Sequence, residues 1–357
     1  MDDHAQEYTR LFLINYSMDP DDSIFSHQVD IAKRLSVKFN EILILTNKVP
    51  SQTFAENTLV NLNWIQGQNF RNIIKFYLVV IRYWKFIRNS IIFSHMTEVQ
   101  SALLSPITKF LNIQHYLWYA HAAKSRFLNW NYFFTNGIIT STSGSCPKTG
   151  NKIHYIGQSI DFEIFDFKER DFSKIREFVY FGRIDPSKKI HEIIECLSRV
   201  RETSKEINLR IVGSNSGKQT LNYYEGVRDY VNEHCRDWVT FEPSVNRKYL
   251  PETLQDAQVF IHSFQGSLDK TLLEATSLGL AVVTINKEYT KEFGSWGSSF
   301  NQISLHSEII ALLQLDNELI RQELKSRLVK VRLNHSIENW IKSTSDILLA
   351  KSQPLNM

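Results

Sequence analysis

Short apolar runs alternate with helical periodicity along most of this chain of 357 residues. Residues 11–15 and 41–46 have the length and apolar content of buried strands, and residues 24–37 between them have a helical pattern. This order predicts parallel strands joined by a crossover helix. The alternation continues with helices at 72–88 and 99–111 and with strands at 90–94, 115–119, 137–140 and 152–156. We therefore predict a parallel α/β domain in the first part of the chain.

Residues 161–176 form a charged stretch with neither helical nor strand periodicity, and we interpret this stretch as a linker. A second series of alternating strands and helices begins after it. It comprises strands at 177–181, 208–212, 238–241, 258–262 and 281–285 and helices at 190–200, 221–234 and 269–278. The predicted fold class is α/β, with two doubly wound Rossmann-like domains at 1–165 and 166–335 and a helix within 336–357 that crosses back to the first. Because such sheets bind ligands beyond the carboxyl ends of their strands, we expect the functional residues there, facing a central cleft.

The composition agrees with two domains, since 43% of the residues are hydrophobic, enough to fill two cores. The formal net charge of +3 is too small to indicate a nucleic acid partner, but the charges are unevenly placed. Between residues 57 and 160, ten lysines and arginines stand against one acid, Glu98. We expect an electropositive surface in this part of the chain.

The cysteines and the amino terminus favour a reducing compartment. The three cysteines are odd in number and have neither CxxC nor Cys/His spacing, which argues against a disulfide framework and a zinc site. The amino terminus is acidic and polar rather than basic and then apolar, so we find no export signal. Residues 127–147 are uncharged, but their asparagines, threonines and serines argue against a membrane span. We expect a cytoplasmic protein.

A basic turn follows the first strand of the second series. It has the sequence GRIDPSKK over residues 182–189 and places Arg183 and Lys188 where the strand ends. A fixed arginine and lysine suit a diphosphate, because they stabilise the charge that builds on a departing nucleoside diphosphate without a metal ion. Taken alone, the turn is more often a solvated basic loop before a helix.

A second strand end has the sequence SFQGSLDKTLLEA over residues 263–275. Its turn of small residues leads into a helix whose first N–H groups and positive dipole suit an anion or sugar hydroxyls. Glu274 within this helix is placed to accept hydrogen bonds from a ribose diol. Without further support, Asp269 is interpreted as a helix-start acid and Glu274 as a surface acid.

Four segments, which include these two turns, occur in the order and spacing of the motifs of a known family. GRIDPSKK, RIVGSNSGK, VTFEPSV and GSLDKTLLEATSLGLAVVT, within about residues 177–285, resemble the donor domain of family-4 retaining glycosyltransferases. The resemblance implies the two-domain GT-B fold, with the donor bound in the second domain and the acceptor in the first. It implies that Arg183 and Lys188 bind the diphosphate of a nucleotide-diphosphate sugar and that Glu274 contacts its ribose. The other donor-binding positions that it implies are Gly182, Gly213, Val245, Gly266, Ser267, Leu268 and Lys270.

One position departs from the family pattern. A first glutamate, beside the transferred sugar, usually stands eight positions before the second, but that position here is Gly266. The chain has instead the GSLDK variant of the motif, which places Asp269 and Lys270 in the sugar and phosphate turn. Either Asp269 supplies the missing carboxylate, in a catalytic role, or Gln265 hydrogen-bonds the sugar without charge.

The segment YLWYAHA in the first domain ends a strand with His121. The resemblance implies that this histidine hydrogen-bonds the transferred sugar near the reaction centre, and we predict it as the catalytic residue of that domain. A histidine at a strand end is otherwise more often structural.

The loop after the first strand is the predicted acceptor loop. It lacks the glycine pair that the family often has there, so close backbone approach to an acceptor or a phosphate is not secured. Ser23, Ser26 and His27 are candidate side-chain contacts to the acceptor. Asp22 or Ser23 is expected to cap the following helix.

The stretch 70–93 interleaves basic with aromatic residues. A helix of this composition suits the surface of an anionic membrane. The resemblance agrees, because many family members glycosylate lipid-linked acceptors from the cytoplasmic leaflet. A core helix with a solvated basic face is an equal alternative.

The residues and the resemblance together imply a retaining glycosyltransferase that needs no metal ion and no bound cofactor. It would move a sugar from a nucleotide-diphosphate sugar to a hydroxyl of a glycan or lipid-linked glycan, in surface polysaccharide or lipopolysaccharide synthesis, as a cytoplasmic enzyme at the inner face of the membrane. The alternative is a degenerate GT-B protein that binds nucleotide sugar or a partner enzyme without turnover, and Gly266 motivates it. An epimerase on this fold would need an acid/base pair of carboxylates, which we do not find in the sequence.

Overall fold

The structure is a computed structural model that describes residues 9–22, 25–47, 58–61, 70–215, 217–297 and 304–350. It divides into two compact units, one formed by Met1–Gly157 with Glu338–Met357 and the other by Gln158–Ile337. Each unit is built on one parallel sheet, with helices between most pairs of successive strands. The predicted α/β fold class is confirmed.

The sheet of the first unit contains seven parallel strands. They are β1 (Arg10–Ile14), β2 (Glu41–Leu45), β3 (Thr58–Asn61), β4 (Ile91–His95), β5 (His115–Trp118), β6 (Gly137–Thr140) and β7 (Ile153–Tyr155). Their order across the sheet is β3-β2-β1-β4-β5-β6-β7. β1, β2 and β4 each bury four of their five residues, as expected of strands in a sheet that is covered on both faces.

Five helices lie among the described residues of the first unit up to Gly157. They are α1 (His27–Ser36), α2 (Phe70–Arg82), α3 (Trp84–Ile87), α4 (Glu98–Phe110) and α5 (Arg126–Phe134). Phe76 and Val80 of α2 enter a core with apolar side chains of β1, β2 and α4. The single helix predicted over 72–88 is therefore two helices, because the backbone at Tyr83 (φ −102°, ψ 14°) leaves the helical region.

The sheet of the second unit contains five parallel strands. They are β8 (Glu177–Phe181), β9 (Asn208–Val212), β10 (Val239–Glu242), β11 (Val259–His262) and β12 (Ala281–Thr284). Their order is β10-β9-β8-β11-β12, so the direction in which the chain adds strands reverses between β8 and β11. The loops after β8 and β11 leave neighbouring strands at this switch point, where open α/β sheets bind their ligands.

Seven helices lie among the described residues of the second unit. They are α6 (Ile190–Arg201), α7 (Leu221–His234), α8 (Leu250–Thr253), α9 (Lys270–Ser277), α10 (Lys287–Phe293), α11 (Leu305–Leu313) and α12 (Asn317–His335). Ile190, Ile193, Ile194, Leu197 and Val200 of α6 are all buried, as their helical spacing predicts. α9 is buried along most of its length and carries Glu274 into the interior.

The charged stretch 161–176 is not a linker, which corrects our interpretation of the sequence. It belongs to the second unit, and Phe165 and Phe172 are buried in its two cores. The guanidinium of Arg170 is buried as well and donates hydrogen bonds to the backbone oxygens of Leu254 (3.0 Å) and Leu278 (3.3 Å). Because most residues of this stretch are polar or charged, its sequence did not indicate that these three side chains are buried.

The last helix, α13 (Ile337–Leu349), belongs to the first unit from Glu338 onward. Trp340 is fully buried there, with its ring 5.1 Å from the ring of Trp118 and 5.7 Å from that of His95. The first passage of the chain between the units falls after Gly157, before the predicted boundary at residue 165. Within the described ranges, no helix combines the length and the apolar character needed to cross a bilayer.

Candidate functional site

The basic turn after β8 holds its two cations in different environments. The Tyr180 hydroxyl donates to the backbone oxygen of Arg183 (2.6 Å), and the Asp185 carboxylate caps a 3₁₀ turn, Pro186–Lys188, by accepting from the backbone of its second residue. As a result, the Arg183 side chain is exposed and forms no ion pair with any residue that the structure describes. Lys188 points inward and is only 5% exposed.

Lys188 forms a buried ion pair with Asp269 from the loop after β11. The Lys188 ammonium donates to Oδ2 of Asp269, and Nε2 of His262 lies 3.2 Å from the same oxygen. The other oxygen, Oδ1, accepts from the backbone N–H of Thr271 (3.4 Å) and so caps α9. Both oxygens of Asp269 are thus engaged by the protein. The predicted role as a helix-start acid holds, but in an interior position.

The charges around Asp269 determine its protonation. Burial raises the pKa of the Asp269 carboxyl, but the Lys188 ammonium and the hydrogen bond from His262 outweigh burial and hold that pKa well below its usual range. Burial also lowers the pKa of His262, which leaves a neutral ring whose Nε2–H donates to the carboxylate. At neutral pH the cluster is therefore a lysine cation, an aspartate anion and a neutral histidine.

The side chain of Phe264, in the loop after β11, packs against this cluster. The ring centre of Phe264 lies 3.9 Å from the Lys188 ammonium, within range for a cation–π contact. A Cβ atom at Gly266 would lie 2.1 Å from the tip of the same ring, so only glycine fits at 266 while the ring holds this position. The side-chain amide of Asn286 donates to the backbone oxygens of Phe264 (3.0 Å) and Ser267 (3.1 Å) and fixes the loop.

The remaining motif residues of this loop face the interior of the second unit. Ser267 is 7% and Leu268 1% exposed, and the Leu268 backbone oxygen accepts from the side-chain amide of Gln158 (3.1 Å). The Lys270 ammonium donates to the Ser159 hydroxyl (3.1 Å). Ser267 and Leu268 therefore present backbone rather than side chain at the start of α9, while the Lys270 ammonium contacts the segment that enters the unit.

Glu274 is a buried acid, which excludes the simpler interpretation as a surface acid. It is 2% exposed on α9, and Oε1 lies 2.5 Å from a terminal nitrogen of Arg247. The Arg247 guanidinium stands over the ring of Phe165, 5.1 Å from its centre. A buried carboxylate with an arginine partner keeps its geometry, which is what a binding acid requires.

Two predicted glycines bring backbone segments into contact beside this site. Gly182 has φ 137°, a region that favours glycine. A Cβ atom at Gly213 would lie 2.0 Å from the backbone oxygen of Gly182, so the loops after β8 and β9 approach each other as only glycine allows. Val245, in the loop after β10, packs against the core around Phe260 and Leu272.

The first unit holds the other predicted residues. His121 is exposed in the loop after β5, with its ring edge-on to Tyr119 at 5.5 Å between centres. Ser26 is the N-cap residue of α1 but makes no side-chain capping bond, and His27 is the first residue of that helix. Ser23 lies outside the described residues.

Side chains of α1 and the preceding turn order the loop after β1. Asp22 accepts from the backbone N–H of Phe25 (2.9 Å) and closes the turn before the helix, but the N-cap of α1 is Ser26, so the expected capping role of Asp22 is not observed. Gln28 accepts from the backbone N–H groups of Tyr16 and Ser17, both at 3.0 Å. The loop is therefore fixed by side-chain hydrogen bonds in place of glycines.

Three residues of the second unit escaped the sequence prediction: His262, Phe264 and Arg247. His262 and Phe264 flank a strand end that we had already singled out, so their alternation along the strand is the signal that was available. Arg247 had no local signal, because its partner Glu274 lies in a distant segment. Among the described residues, no group of three or more histidine, cysteine or acidic side chains is arranged to hold a metal ion.

Comparisons with known proteins bear on both units. Residues 161–319 match the family model described as Glycosyl transferases group 1. No curated protein sequence matches the chain significantly. Among solved structures, sucrose-phosphate synthase from Thermosynechococcus elongatus is similar with a TM-score of 0.74 at 13% identity, covering 95% of this chain and 98% of that one.

Two further solved structures cover nearly the whole chain. HepE from Anabaena, in complex with UDP and glucose, has a TM-score of 0.72 at 12% identity over 96% of this chain and 100% of that one. The lipopolysaccharide outer core galactosyltransferase WaaB, in its apo form, has a TM-score of 0.65 at 12% identity over 95% and 99%. At such low identity these likenesses bear on the fold alone. The chain therefore has the GT-B fold of two parallel α/β units, and the match to the Glycosyl transferases group 1 family model is confined to residues 161–319.

Proposed function

We propose that this protein is a retaining glycosyltransferase that moves a sugar from a nucleotide-diphosphate sugar to a hydroxyl of a glycan or lipid-linked glycan. The observation that carries the proposal is the meeting of two motifs at the switch point of the second sheet. The loop after β8 brings Arg183 and Lys188, and the loop after β11 brings the start of α9 with Glu274. An anion placed there meets an exposed guanidinium and the N-terminus of a helix.

Each residue has a role that its environment supports. Arg183 is exposed and contacts the diphosphate directly, while Lys188 adds its charge from below. Asp269 is the counterion that positions Lys188 and is not the missing sugar-side carboxylate, because both of its oxygens are engaged within the protein. Glu274 accepts from the ribose hydroxyls, and His121 is the residue that we propose for a hydrogen bond to the transferred sugar.

The proposed reaction needs no strong base. The bond between the anomeric carbon and the phosphate oxygen breaks, and a bond to the acceptor oxygen forms on the same face of the sugar. The acceptor proton passes to the departing phosphate. Arg183 and Lys188 stabilise the charge on that phosphate, which is the main catalytic contribution of the second unit.

UDP is the nucleotide to test first, because HepE was solved with UDP and glucose. WaaB is a lipopolysaccharide outer core galactosyltransferase, which makes a surface glycan the first acceptor class to test. We propose that the protein acts in surface polysaccharide or lipopolysaccharide synthesis at the inner face of the membrane.

The test measures thermal shift and donor hydrolysis with UDP, GDP, ADP and their sugars in the presence of EDTA. Wild type is compared with Arg183→Ala and Glu274→Ala. Arg176→Ala is the matched control, because Arg176 is a half-exposed arginine at the amino end of β8, paired with Glu206. We expect one nucleotide series to shift the wild type and the control but neither site variant, with slow hydrolysis surviving EDTA. If no nucleotide shifts the wild type, the proposal is wrong.

The second candidate is a GT-B protein that binds nucleotide sugar without turnover. Gly266 and the ring of Phe264 favour it, since no carboxylate stands at 266 and the ring covers Lys188. A nucleotide shift without hydrolysis, and without product from any glycan acceptor tested, would establish this function in place of the first.

We also propose that α2 contacts an anionic membrane. Phe70, Ile74, Leu78 and Ile81 are between 44% and 76% exposed and follow one another at helical spacing, whereas Phe76 and Val80 are buried on another face. The basic residues beside this stripe are all exposed: Arg71, Lys75, Arg82, Lys85 and Arg88. This pattern favours membrane contact over the alternative of a core helix with a solvated face.

Sedimentation with vesicles tests this contact. Wild type should bind vesicles that contain phosphatidylglycerol more than neutral ones, and salt should weaken the binding. Replacing Leu78 and Ile81 by serine should abolish it, whereas Leu319→Ser, at an apolar residue of α12 that is 49% exposed, should not. Equal binding by all three proteins would exclude α2 as the contact.

A further inference from the structure

The carboxylate of Glu274 is enclosed by two segments that lie apart in the sequence. Arg247 comes from a 3₁₀ turn, Arg247–Tyr249, after β10, and Phe165 comes from the segment that precedes β8. The Arg247 side chain is 17% exposed and is held between the ring of Phe165 and the carboxylate. Nothing in the family resemblance assigns a role to Arg247.

The two oxygens of this carboxylate differ. Oε1 is fully buried and forms an ion pair with the Arg247 guanidinium at 2.5 Å, without a hydrogen bond from any residue that the structure describes. Oε2 accepts no hydrogen bond from any residue in the part of the chain that the structure describes, although the side chain is 2% exposed. Buried polar atoms in folded proteins nearly always have partners, so an open carboxylate oxygen in this position points to a ligand that donates.

We propose that Arg247 is a positioning residue that fixes Glu274 so that its second oxygen faces the ribose diol of the bound nucleotide. The guanidinium compensates the cost of burying the carboxylate and anchors one oxygen, which leaves only the other for a ligand. Stacking on Phe165 limits the orientations of the guanidinium itself. The inference rests on the proposed donor site and adds the residue that makes this site select a ribonucleotide.

Calorimetric titration with UDP and with 2′,3′-dideoxy-UDP tests the inference, because the second probe lacks both hydroxyls. Wild type should prefer UDP by about tenfold to a hundredfold, the worth of one hydrogen bond to a charged group. In Glu274→Gln and in Arg247→Met this preference should shrink to within about threefold, with little change in the affinity for the dideoxy probe. Arg247→Lys keeps the charge and should recover part of the preference.

Arg201 provides a control near the amino end of β10, whereas Arg247 follows the carboxyl end of the same strand. Its side chain is also 17% exposed, stands over the ring of Trp238 at 4.9 Å and pairs with Asp237 at 3.5 Å. Arg201→Met therefore removes a similar stacking contact at the end of α6, together with an ion pair to a carboxylate that is 70% exposed. It should lower the melting temperature as Arg247→Met does, while the preference for UDP stays at the wild-type value.

The possible outcomes distinguish failure of the role of Arg247 from failure of the proposed function. If Glu274→Gln loses the preference for UDP but both Arg247 variants keep it, Arg247 is merely structural and the inference is overturned. If Glu274→Gln also keeps the preference, Glu274 does not bind ribose and the inference fails with that assignment. If wild type binds neither probe, nor GDP or ADP, the proposed function itself is wrong. A poorly folded Arg247→Met leaves Arg247→Lys to decide.

Discussion

The buried ion pair of Lys188 and Asp269 allows a direct test of whether Asp269 stabilises the buried lysine cation of the site. Asp269→Asn removes the negative charge and keeps the shape, and asparagine caps a helix as well as aspartate does. The N-cap of α9 should therefore survive. What the variant loses is the counterion of an ammonium group that is 5% exposed.

The size of the loss follows from the burial of the two groups. Breaking a buried ion pair by removing one partner costs about 3–5 kcal/mol. The Asp269 side chain is 18% exposed, and the contact between Lys188 and Phe264 remains in the variant, so the lower end applies. We expect a loss of about 3 kcal/mol in the free energy of unfolding of the second unit. Lys188→Met combined with Asp269→Asn should cost less than the two single losses added, with a coupling of about 1.5 kcal/mol or more.

The pH dependence has a definite sign. The folded-state pKa of Asp269 lies below its unfolded value of about 3.8, so its contribution is complete well above that value and is lost as pH falls through the folded pKa. The difference between wild type and Asp269→Asn should be constant from pH 5 to 7 and shrink below about pH 4.

Urea unfolding at several pH values measures the difference, and hydrogen exchange of α9 peptides assigns it to the second unit. A loss below about 1 kcal/mol, unchanged between pH 7 and pH 3, would mean that solvent screens the pair. The description of Lys188 as a buried cation held by Asp269 would then be wrong.

Three further predictions concern the fold, each measured by urea unfolding. Gly213→Ala should cost about 2 kcal/mol or more because its Cβ would meet the backbone of Gly182, whereas Gly226→Ala, in an open position of α7, should stabilise by about 0.5–1 kcal/mol; equal effects would contradict the close approach. Burial lowers the pKa of His115 to about 3, so stability should fall as pH drops below 6.5 by up to about 1.4 kcal/mol per pH unit, and His115→Gln should remove this part of the slope. Arg170→Met should cost about 2–4 kcal/mol because several buried backbone oxygens lose the guanidinium as a donor, and a loss within about 0.5 kcal/mol would mean that water replaces the guanidinium.

Periodicity predicts the strands of this chain well because strands of a covered parallel sheet are short and nearly all apolar. The predicted bounds of 177–181 and 208–212 agree with β8 and β9, and the helix at 221–234 agrees with α7. The elements that we missed have separate causes. α5 lies in a stretch that we considered only as a possible membrane span, and α10, α11 and α12 lie beyond the region of the family motifs. The charged segment 161–176 packs through only three side chains, too few to produce a period.

The sequence predicts site residues that lie together in one segment, but it does not predict which side chains from distant segments contact each other. Arg183 and Lys188 were found because one turn carries both. The pairing of Lys188 with Asp269 depends on β8 lying beside β11, and the order of strands across a sheet is not written in any single segment. The same holds for Arg247 and Glu274. Sequence therefore identified the loops, and the topology decides which side chains meet.

The departures from the family pattern in the loop after β11 form one connected set. Glycine at 266 leaves room for the ring of Phe264, and that ring lies over the Lys188 ammonium. An aspartate at 269 supplies the negative charge that a buried lysine needs. The carboxylate absent at 266 is thus not replaced in kind, because the acid at 269 serves the lysine. In the proposed donor site, the exposed amide of Gln265 is then the group of this loop that we expect to hydrogen-bond the transferred sugar without charge.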